Sequence, residues 1–227
     1  TPVKVQAESS NGIKVDTTYT PEIVPVTPTA TPAETTDIQG ATQTGKPEFK
    51  GGTVTVDGVE KTVEINEDVP ATFDDRSTTK TVEGVGTYTV AADGTVTFVP
   101  EKSFVGTAPA VTVVREDKNG TKASATYTPT VLPVTPTATP AETTDIQGAT
   151  QTGKPEFKGG TVTVDGVEKT VEINEDVPAT FDDGSTTKTV DGVGTYTVAA
   201  DGTVTFVPEK SFVGTAPAVT VVREDKN

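Results

Sequence analysis

Four carboxylates lie close together in each half of the chain, and they are the residues best suited to bind a metal ion. They occupy equivalent positions in the two halves: Glu67, Asp68, Asp74 and Asp75, then Glu175, Asp176, Asp182 and Asp183. Carboxylate oxygens are the ligands that Ca²⁺ prefers. The cluster lacks the D-x-[DN]-x-[DN]-G spacing of a calcium loop, however. We therefore interpret these residues as solvated side chains in turns and expect no metal site.

Lysine and asparagine residues raise a second hypothesis, an intramolecular isopeptide bond of the kind that joins Lys to Asn in some pilus and adhesin domains. The candidates are Lys61, Lys80 and Lys122 with Asn66 and Asn119. Asn66 lies in an acidic loop and Asn119 in a predicted hairpin turn, which are poor places for buried chemistry. We therefore do not predict this bond.

The remaining composition leaves little room for catalysis. The chain contains no Cys, His, Met or Trp, so it has no thiol or imidazole for nucleophilic catalysis or metal binding. Paired carboxylates can hydrolyse glycosides, but a sugar cleft needs aromatic platforms, and aromatic residues make up only 5% of the chain. The sequence predicts no catalytic residues and no cofactor, and hence a protein that is not an enzyme.

The charge of the chain limits its partners and its location. A net charge of −15 repels phosphate backbones and anionic lipids, so we expect neither a nucleic acid nor a membrane partner. A thiol-free, acidic and Thr-rich chain is typical of extracellular surface proteins of Gram-positive bacteria. The run LPVTP at residues 132–136 imitates a sortase signal but has Pro in place of Gly. We interpret it as a junction, and the chain, which starts at Thr1, as an excerpt of a longer, wall-anchored repetitive protein.

The chain is an internal duplication. The 24 residues from Val26 to Phe49 recur unchanged from Val134, a period of 134 − 26 = 108 residues. Over the longer range, residues 26–119 and 134–227 differ at only two positions, Arg76/Gly184 and Glu83/Asp191. A fixed period of this kind is the signature of a tandem-repeat protein.

Each repeat begins with a segment rich in Thr and Pro and continues with short β-strands. Pro28, Pro32 and Pro47 favour an extended backbone over residues 26–47, which is either a linker or a first edge strand. Downstream, Asp57-Gly58 and Asn119-Gly120 are hairpin signals between β-rich runs. Roughly seven short strands with such turns predict an all-β fold of antiparallel, Ig-like β-sandwich domains in tandem, joined by extended Thr/Pro-rich segments. The predicted core residues are aromatic: Phe73, Tyr88, Phe98, Phe104 and Tyr127.

One stretch carries a family resemblance. It is GTYTVAADGTVTFVPEKSFVGTAPAVTVVREDKNGTKASATYTPTV, residues 86–131. Its order of G-T-Y-T-V, D-G-T-V-T-F-x-P, F-x-G-T-x-P and A-T-Y-T-P-T-V segments resembles the CshA-type fibril repeats of Gram-positive surface adhesins. In that comparison Gly86, Gly94 and Gly106 are turn glycines, and Pro100 and Phe104 form a P-x-x-x-F element. The resemblance implies a fibrillar stalk of tandem repeats, with ligand contacts mainly in a distinct non-repeat region.

The period also divides the chain into units. Residues 1–25 align with 109–133, so we interpret them as the closing hairpin of a preceding repeat. Residues 26–133 form a complete repeat with its sandwich at 48–133, and residues 134–227 form a second repeat without its closing strand. In a rival frame the units are 12–119 and 120–227. The two frames differ in whether 121–131 pairs with 110–116 or with strands after Phe157.

Two functions remain open at this stage. In the first, the repeats are a structural spacer, and their partners are the neighbouring repeats, with any host matrix protein bound outside this stretch. In the second, each repeat is a weak adhesive module that gains strength through multivalency.

Overall fold

The regular secondary structure of the described residues is all β. The computed structural model describes residues 2–227, and every regular element in that range is a strand. No helix long and apolar enough to cross a membrane occurs among these residues.

The strands fall into three groups. The N-terminal hairpin consists of β1 (Val3–Glu8) and β2 (Lys14–Tyr19). The first repeat contains β3 (Thr29–Thr31), β4 (Ala33–Ile38), β5 (Gln43–Gly45), β6 (Glu48–Lys50), β7 (Gly52–Val56), β8 (Val59–Val63), β9 (Thr72–Phe73), β10 (Thr79–Val82), β11 (Gly86–Val90), β12 (Val96–Pro100), β13 (Gly106–Thr107), β14 (Val111–Glu116) and β15 (Lys122–Leu132). The second repeat contains β16 (Thr137–Thr139), β17 (Gln151–Gly153), β18 (Glu156–Lys158), β19 (Gly160–Val164), β20 (Val167–Val171), β21 (Thr180–Phe181), β22 (Thr187–Val190), β23 (Gly194–Val198), β24 (Val204–Pro208) and β25 (Val221–Val222).

The core of the first repeat lies between two sheets. One sheet has the strand order β10-β11-β12-β5, and the other has the order β13-β15-β14-β9 with β4 added beside β15. Rings from both sheets meet in the middle, because Phe73, Tyr88, Phe98 and Tyr127 are each 0% exposed. Phe104 packs against this cluster while partly exposed. The all-β, tandem Ig-like sandwich predicted from the strand pattern is therefore confirmed.

Strand β15 organises the second sheet, because it contacts three neighbouring strands. It pairs in antiparallel fashion with β14 and β13, and in parallel with β4. Its burial alternates along its whole length, so Ala123, Ala125 and Tyr127 face the core as the sequence predicts. The pairing of β15 with β14 lies inside residues 26–133, and the boundary at residue 133 stays a prediction.

Turn chemistry sets the register of the hairpins. Asp57 and Gly58 both have positive φ, 52° and 77°, which is the conformation of a two-residue type I′ hairpin turn. At the second predicted hairpin Gly120 has a φ of 80°. There Oδ1 of Asp117 accepts a hydrogen bond from the backbone N–H of Asn119 at 2.9 Å. The turn residues therefore set the register of each hairpin, and the register determines which side chains face the core.

The Thr/Pro-rich segment 26–47, which the sequence leaves open between linker and edge strand, contains three strands. Strand β3 pairs with β6, β4 with β15, and β5 with β12. The extended connection between the repeats is only the run from Pro133 to Pro136, between the end of β15 and the start of β16. Most of this segment therefore belongs to the sandwich.

The second repeat shows what happens to the fold without a counterpart of β15. Its first sheet, β17-β24-β23-β22, keeps the order seen in the first repeat. The second sheet is reduced to the pair β21-β25, and residues 141–146, equivalent to β4, are not a strand. Val96 and Phe98 are fully buried, whereas their counterparts Val204 and Phe206 are partly exposed.

The N-terminal hairpin has the geometry of the missing element. Its register, Val3↔Tyr19 to Glu8↔Lys14, equals that of β14 and β15, Val111↔Tyr127 to Glu116↔Lys122, shifted by one repeat. All of its strand residues are exposed. Residues 3–19 thus adopt the closing-hairpin conformation while their strands stay exposed.

Candidate functional site: acidic turns and the contact between repeats

Three of the four candidate metal ligands of the first repeat, Glu67, Asp74 and Asp75, are paired with cationic side chains. Lys80 binds Asp74 through Nζ at 2.5 Å and Asp75 at 3.4 Å. Oδ1 of Asp75 also accepts a hydrogen bond from the Ser77 hydroxyl at 2.6 Å. Glu67 pairs elsewhere, with Arg115. Within residues 2–227 no three His, Cys, Asp or Glu side chains are grouped closely enough to hold a metal ion.

Arg115 is the buried charge behind the acidic turns. Its side chain is 7% exposed, and Nη2 donates to Oε2 of Glu67 at 2.9 Å. This guanidinium holds the pKa of the Glu67 carboxyl below its ordinary value. Arg223 and Glu175 repeat the contact at 2.9 Å in the second repeat. The sequence analysis missed this pair, although an arginine on the inward face of β14, in register with Val111 and Val113, was a visible signal.

The Glu67 carboxyl provides a prediction that can be checked by titration. In Arg115→Gln we expect its pKa to rise towards the ordinary value, because the hydrogen bond and the positive charge are both lost. NMR titration of the side-chain carboxyl measures this, and Arg115→Lys, which keeps the charge, should retain part of the lowering. Because the pKa is lowered in the folded state, the pair stabilises the fold above the ordinary Glu pKa. That stabilisation is lost as the pH falls through the lowered value. An unchanged Glu67 titration in Arg115→Gln would contradict the assignment.

The isopeptide candidates are not placed for buried chemistry. Lys80 forms ion pairs with Asp74 and Asp75. Oδ1 of Asn66 accepts a hydrogen bond from the backbone N–H of Asp68 at 3.1 Å. The other candidates, Lys61, Lys122 and Asn119, are exposed. The geometry offers no support for this chemistry.

The two repeats also contact each other outside their sandwich cores. We call Gly160–Val171 of the second repeat, strands β19 and β20, the valine hairpin, and Asp37–Ala41 of the first repeat the aspartate corner. An apolar cluster joins them. Its buried members are Ile38, Val134, Val164 and Val171, with Ala41, Leu132 and Val162 packed against them. The cluster draws on both repeats and on the short connection between them.

An ion pair and a second close approach also join the two repeats near this cluster. Nζ of Lys169 in the valine hairpin lies 2.6 Å from Oδ2 of Asp37, whose side chain is 16% exposed. On another side Asn227 approaches Gly40 closely, since a Cβ at Gly40 would lie 2.3 Å from its Oδ1. The ion pair borders an open cleft of about 510 Å³, which brings water to its edge.

The apolar cluster and the ion pair differ in how much free energy each contributes to the contact between the repeats. Full burial of a Val or Ile side chain contributes about 1.5–3 kcal/mol. An ion pair at a wet edge contributes about 0.2–1 kcal/mol. The apolar cluster therefore supplies most of the stability of the contact, and the Lys169–Asp37 pair mainly fixes its register.

Comparison with known protein families accounts for both repeats. The surface adhesin CshA repetitive domain matches residues 25–131 and 133–227. The chain belongs to this family. The CshA-type resemblance in the sequence is thereby confirmed, and with it a relationship to surface proteins. No curated protein shows significant similarity to the chain.

Solved structures include a CshA repeat. Repeat domain 13 of the fibrillar adhesin CshA from Streptococcus gordonii is 58% identical, covering 30% of this chain and 86% of that domain, with a TM-score of 0.19. The eight N-terminal Ig domains of Down syndrome cell adhesion molecule are 16% identical, covering 99% of this chain and 30% of that one, with a TM-score of 0.33. Cadherin domains 1–4 of protocadherin gamma B7 are 8% identical, covering 99% and 64%, with a TM-score of 0.25. At these TM-scores the fold assignment rests on the strand pairing described above.

Proposed function

We propose that these CshA repeats are structural spacers of a wall-anchored fibrillar adhesin, in which repeat number sets the distance between the cell surface and a distal binding region. The folding unit in this proposal is residues 26–133. The observation that carries it is the direct packing of one repeat on the next across a connection of only four residues, Pro133–Pro136. A short connection and a packed contact suit an element that must transmit length.

The surface of the repeats supports the same proposal. Many of the carboxylates that carry the net charge of −15 lie in exposed turns. Repulsion between like charges keeps neighbouring fibrils apart and soluble. The near-identity of residues 26–119 and 134–227 fits a part in which every copy performs the same task.

Solution shape tests the spacer function. A compact globule of 227 residues has a radius of gyration of about 17 Å. We expect small-angle X-ray scattering to give a clearly larger value and an elongated distance distribution, because the two sandwiches follow one another along the chain. A radius near that of a globule would contradict the proposal.

A pull-down distinguishes the spacer from an adhesive module. The two-repeat chain at micromolar concentration should not retain host matrix proteins or cells, whereas a multivalent module should. Binding that is lost on substituting exposed residues of the sheets would favour the adhesive function.

A further inference from the structure

We propose that every repeat carries two complementary docking surfaces, the valine hairpin and the aspartate corner, and that the occupant of each is another copy of the same repeat. The proposal rests on the spacer function and specifies how neighbouring repeats recognise each other. On this basis the first repeat's own hairpin, with Val56, Lys61 and Val63, receives the aspartate corner of a preceding repeat.

Burial differences between equivalent residues carry the first step. Val164 and Val171 in the contact are 5% and 7% exposed. Their counterparts Val56 and Val63 have no preceding sandwich to pack on in this chain, and they are only partly buried. Since the two hairpins are identical in sequence, the added burial is produced by the neighbouring repeat. Half-buried valines on the free hairpin are therefore an apolar surface that matches a known partner surface.

The lysine of the hairpin shows the same difference in burial between the two repeats. Lys169 is half-buried against Asp37, whereas its counterpart Lys61 is exposed. The two surfaces thus match in charge as well as in shape. The ion pair selects one orientation of the valine hairpin on the aspartate corner. If the hairpin were shifted along the corner, Asp37 would be partly buried without a cation beside it.

The aspartate corner depends on the closing strand of its own repeat. Leu132 ends β15, and β15 pairs in parallel with β4, where Leu132 lies opposite Ile38. The second repeat lacks both the counterpart of β15 and a following repeat, and there Ile146 is 79% exposed, compared with 7% for Ile38. Residues 141–146 also form no strand, so we expect the corner to take its docking conformation only when the closing strand pairs with it.

Substitutions at equivalent positions of the two repeats test the proposal in the full chain. Asp37→Asn lies in the first repeat, yet we expect it to lower the melting temperature of the second repeat, followed by NMR signals of each repeat. Its matched control, Asp145→Asn, lies outside the contact and should leave both transitions unchanged. Lys169→Gln should have the same effect as Asp37→Asn, and the double variant should lose little more than either single one, because both remove one ion pair.

Two Val→Thr substitutions, which keep the shape of the side chain, test the apolar cluster. Val171→Thr places a hydroxyl in the buried contact, where it loses hydration, and should lower the second transition by roughly 5 °C. Val63→Thr makes the same change where the hydroxyl stays partly hydrated, and its effect should be smaller. Residual dipolar couplings measure the orientation of one repeat relative to the other. One alignment tensor should describe both repeats in the parent chain, and two tensors should be needed in Val171→Thr.

The outcomes separate this inference from the spacer function. Separate tensors in the parent chain, or no response of the second repeat to Asp37→Asn, would overturn the docking surfaces even if scattering shows an elongated molecule. Capture of a matrix protein with the tensors intact would overturn the spacer function and leave the docking surfaces standing. Additive effects of Asp37→Asn and Lys169→Gln would show that the two residues do not interact.

Discussion

Extending the chain past Asn227 with the sequence of Gly120–Pro133 is expected to raise the melting temperature of the second repeat by more than 10 °C. The extension supplies the counterpart of β15, the strand that contacts β14, β13 and β4 in the first repeat. Residues 141–146 should then become a strand, and the second sheet should regain its full set of partners.

The size of this effect follows from the core that the strand covers. Val96, Phe98 and Val113 are 0% exposed in the first repeat, and their counterparts in the second are partly exposed. Completing the burial of these side chains is favourable, and the added strand brings its own inward-facing side chains and ladder hydrogen bonds, which together offset the entropy of ordering it. A net gain of about 3 kcal/mol would raise the melting temperature by roughly 12–24 °C for a domain of this size.

Calorimetry with assignment by NMR measures the change. The parent chain should show two transitions, the lower one belonging to the second repeat, and the extended chain should bring them together. An extension of the same composition in scrambled order is the control and should leave the lower transition in place. Two coincident transitions in the parent chain would show that the second repeat does not need its closing strand.

Much of the sandwich follows from local sequence. The hairpins at Asp57-Gly58 and Asn119-Gly120, the inward face of β14 and the burial of Tyr88 and Phe98 all depend on turn residues and on alternation over a few positions. Such signals act over short distances, so one sequence suffices to predict them.

Long-range pairing was less accessible to prediction. Strand β4 is polar and Thr-rich, and it pairs in parallel with a strand about 90 residues further along the chain. Its place depends on a hydrogen-bond network that no local pattern indicates: the Thr35 hydroxyl lies 2.7 Å from the Tyr127 hydroxyl and donates to Oε1 of Gln43 at 2.6 Å. Buried Gln43 in turn donates to the carbonyl of Thr130 at 2.9 Å.

The contact between repeats was hidden for a related reason. The valines of the hairpin Thr53–Ile65 alternate as core residues do, and the pattern does not say whether they face their own sandwich or a neighbour. Only the comparison of two identical hairpins in different surroundings, Val63 with Val171, separates the two possibilities. A repeat protein supplies that comparison within one chain.

Gly45→Ala is expected to be strongly destabilising although the same change at Gly153 is not. A Cβ at Gly45 would lie 2.2 Å from Cε2 of Tyr127, a ring that is 0% exposed and cannot move aside. Forcing extra atoms into a packed core costs about 1–3 kcal/mol. The second repeat has no counterpart of Tyr127, and a Cβ at Gly153 would have the methyl group of Thr143 at 3.2 Å and Cβ of Ala141 at 3.8 Å as its neighbours.

The two substitutions should therefore move the melting temperatures differently. Replacing Gly by Ala stiffens the unfolded chain and by itself stabilises by about 0.4–1 kcal/mol where the native backbone tolerates it. At Gly153 this gain offsets a mild contact, so the second transition should stay within a few degrees of the parent. At Gly45 the clash with the ring exceeds the gain, and the first transition should fall by roughly 10 °C.

A double variant is the control for this clash. Tyr127→Ala removes the obstructing ring, so adding Gly45→Ala to Tyr127→Ala should cost much less stability than adding it to the parent chain. Equal losses in both backgrounds would mean that Gly45 is required for its backbone and not for the space beside Tyr127.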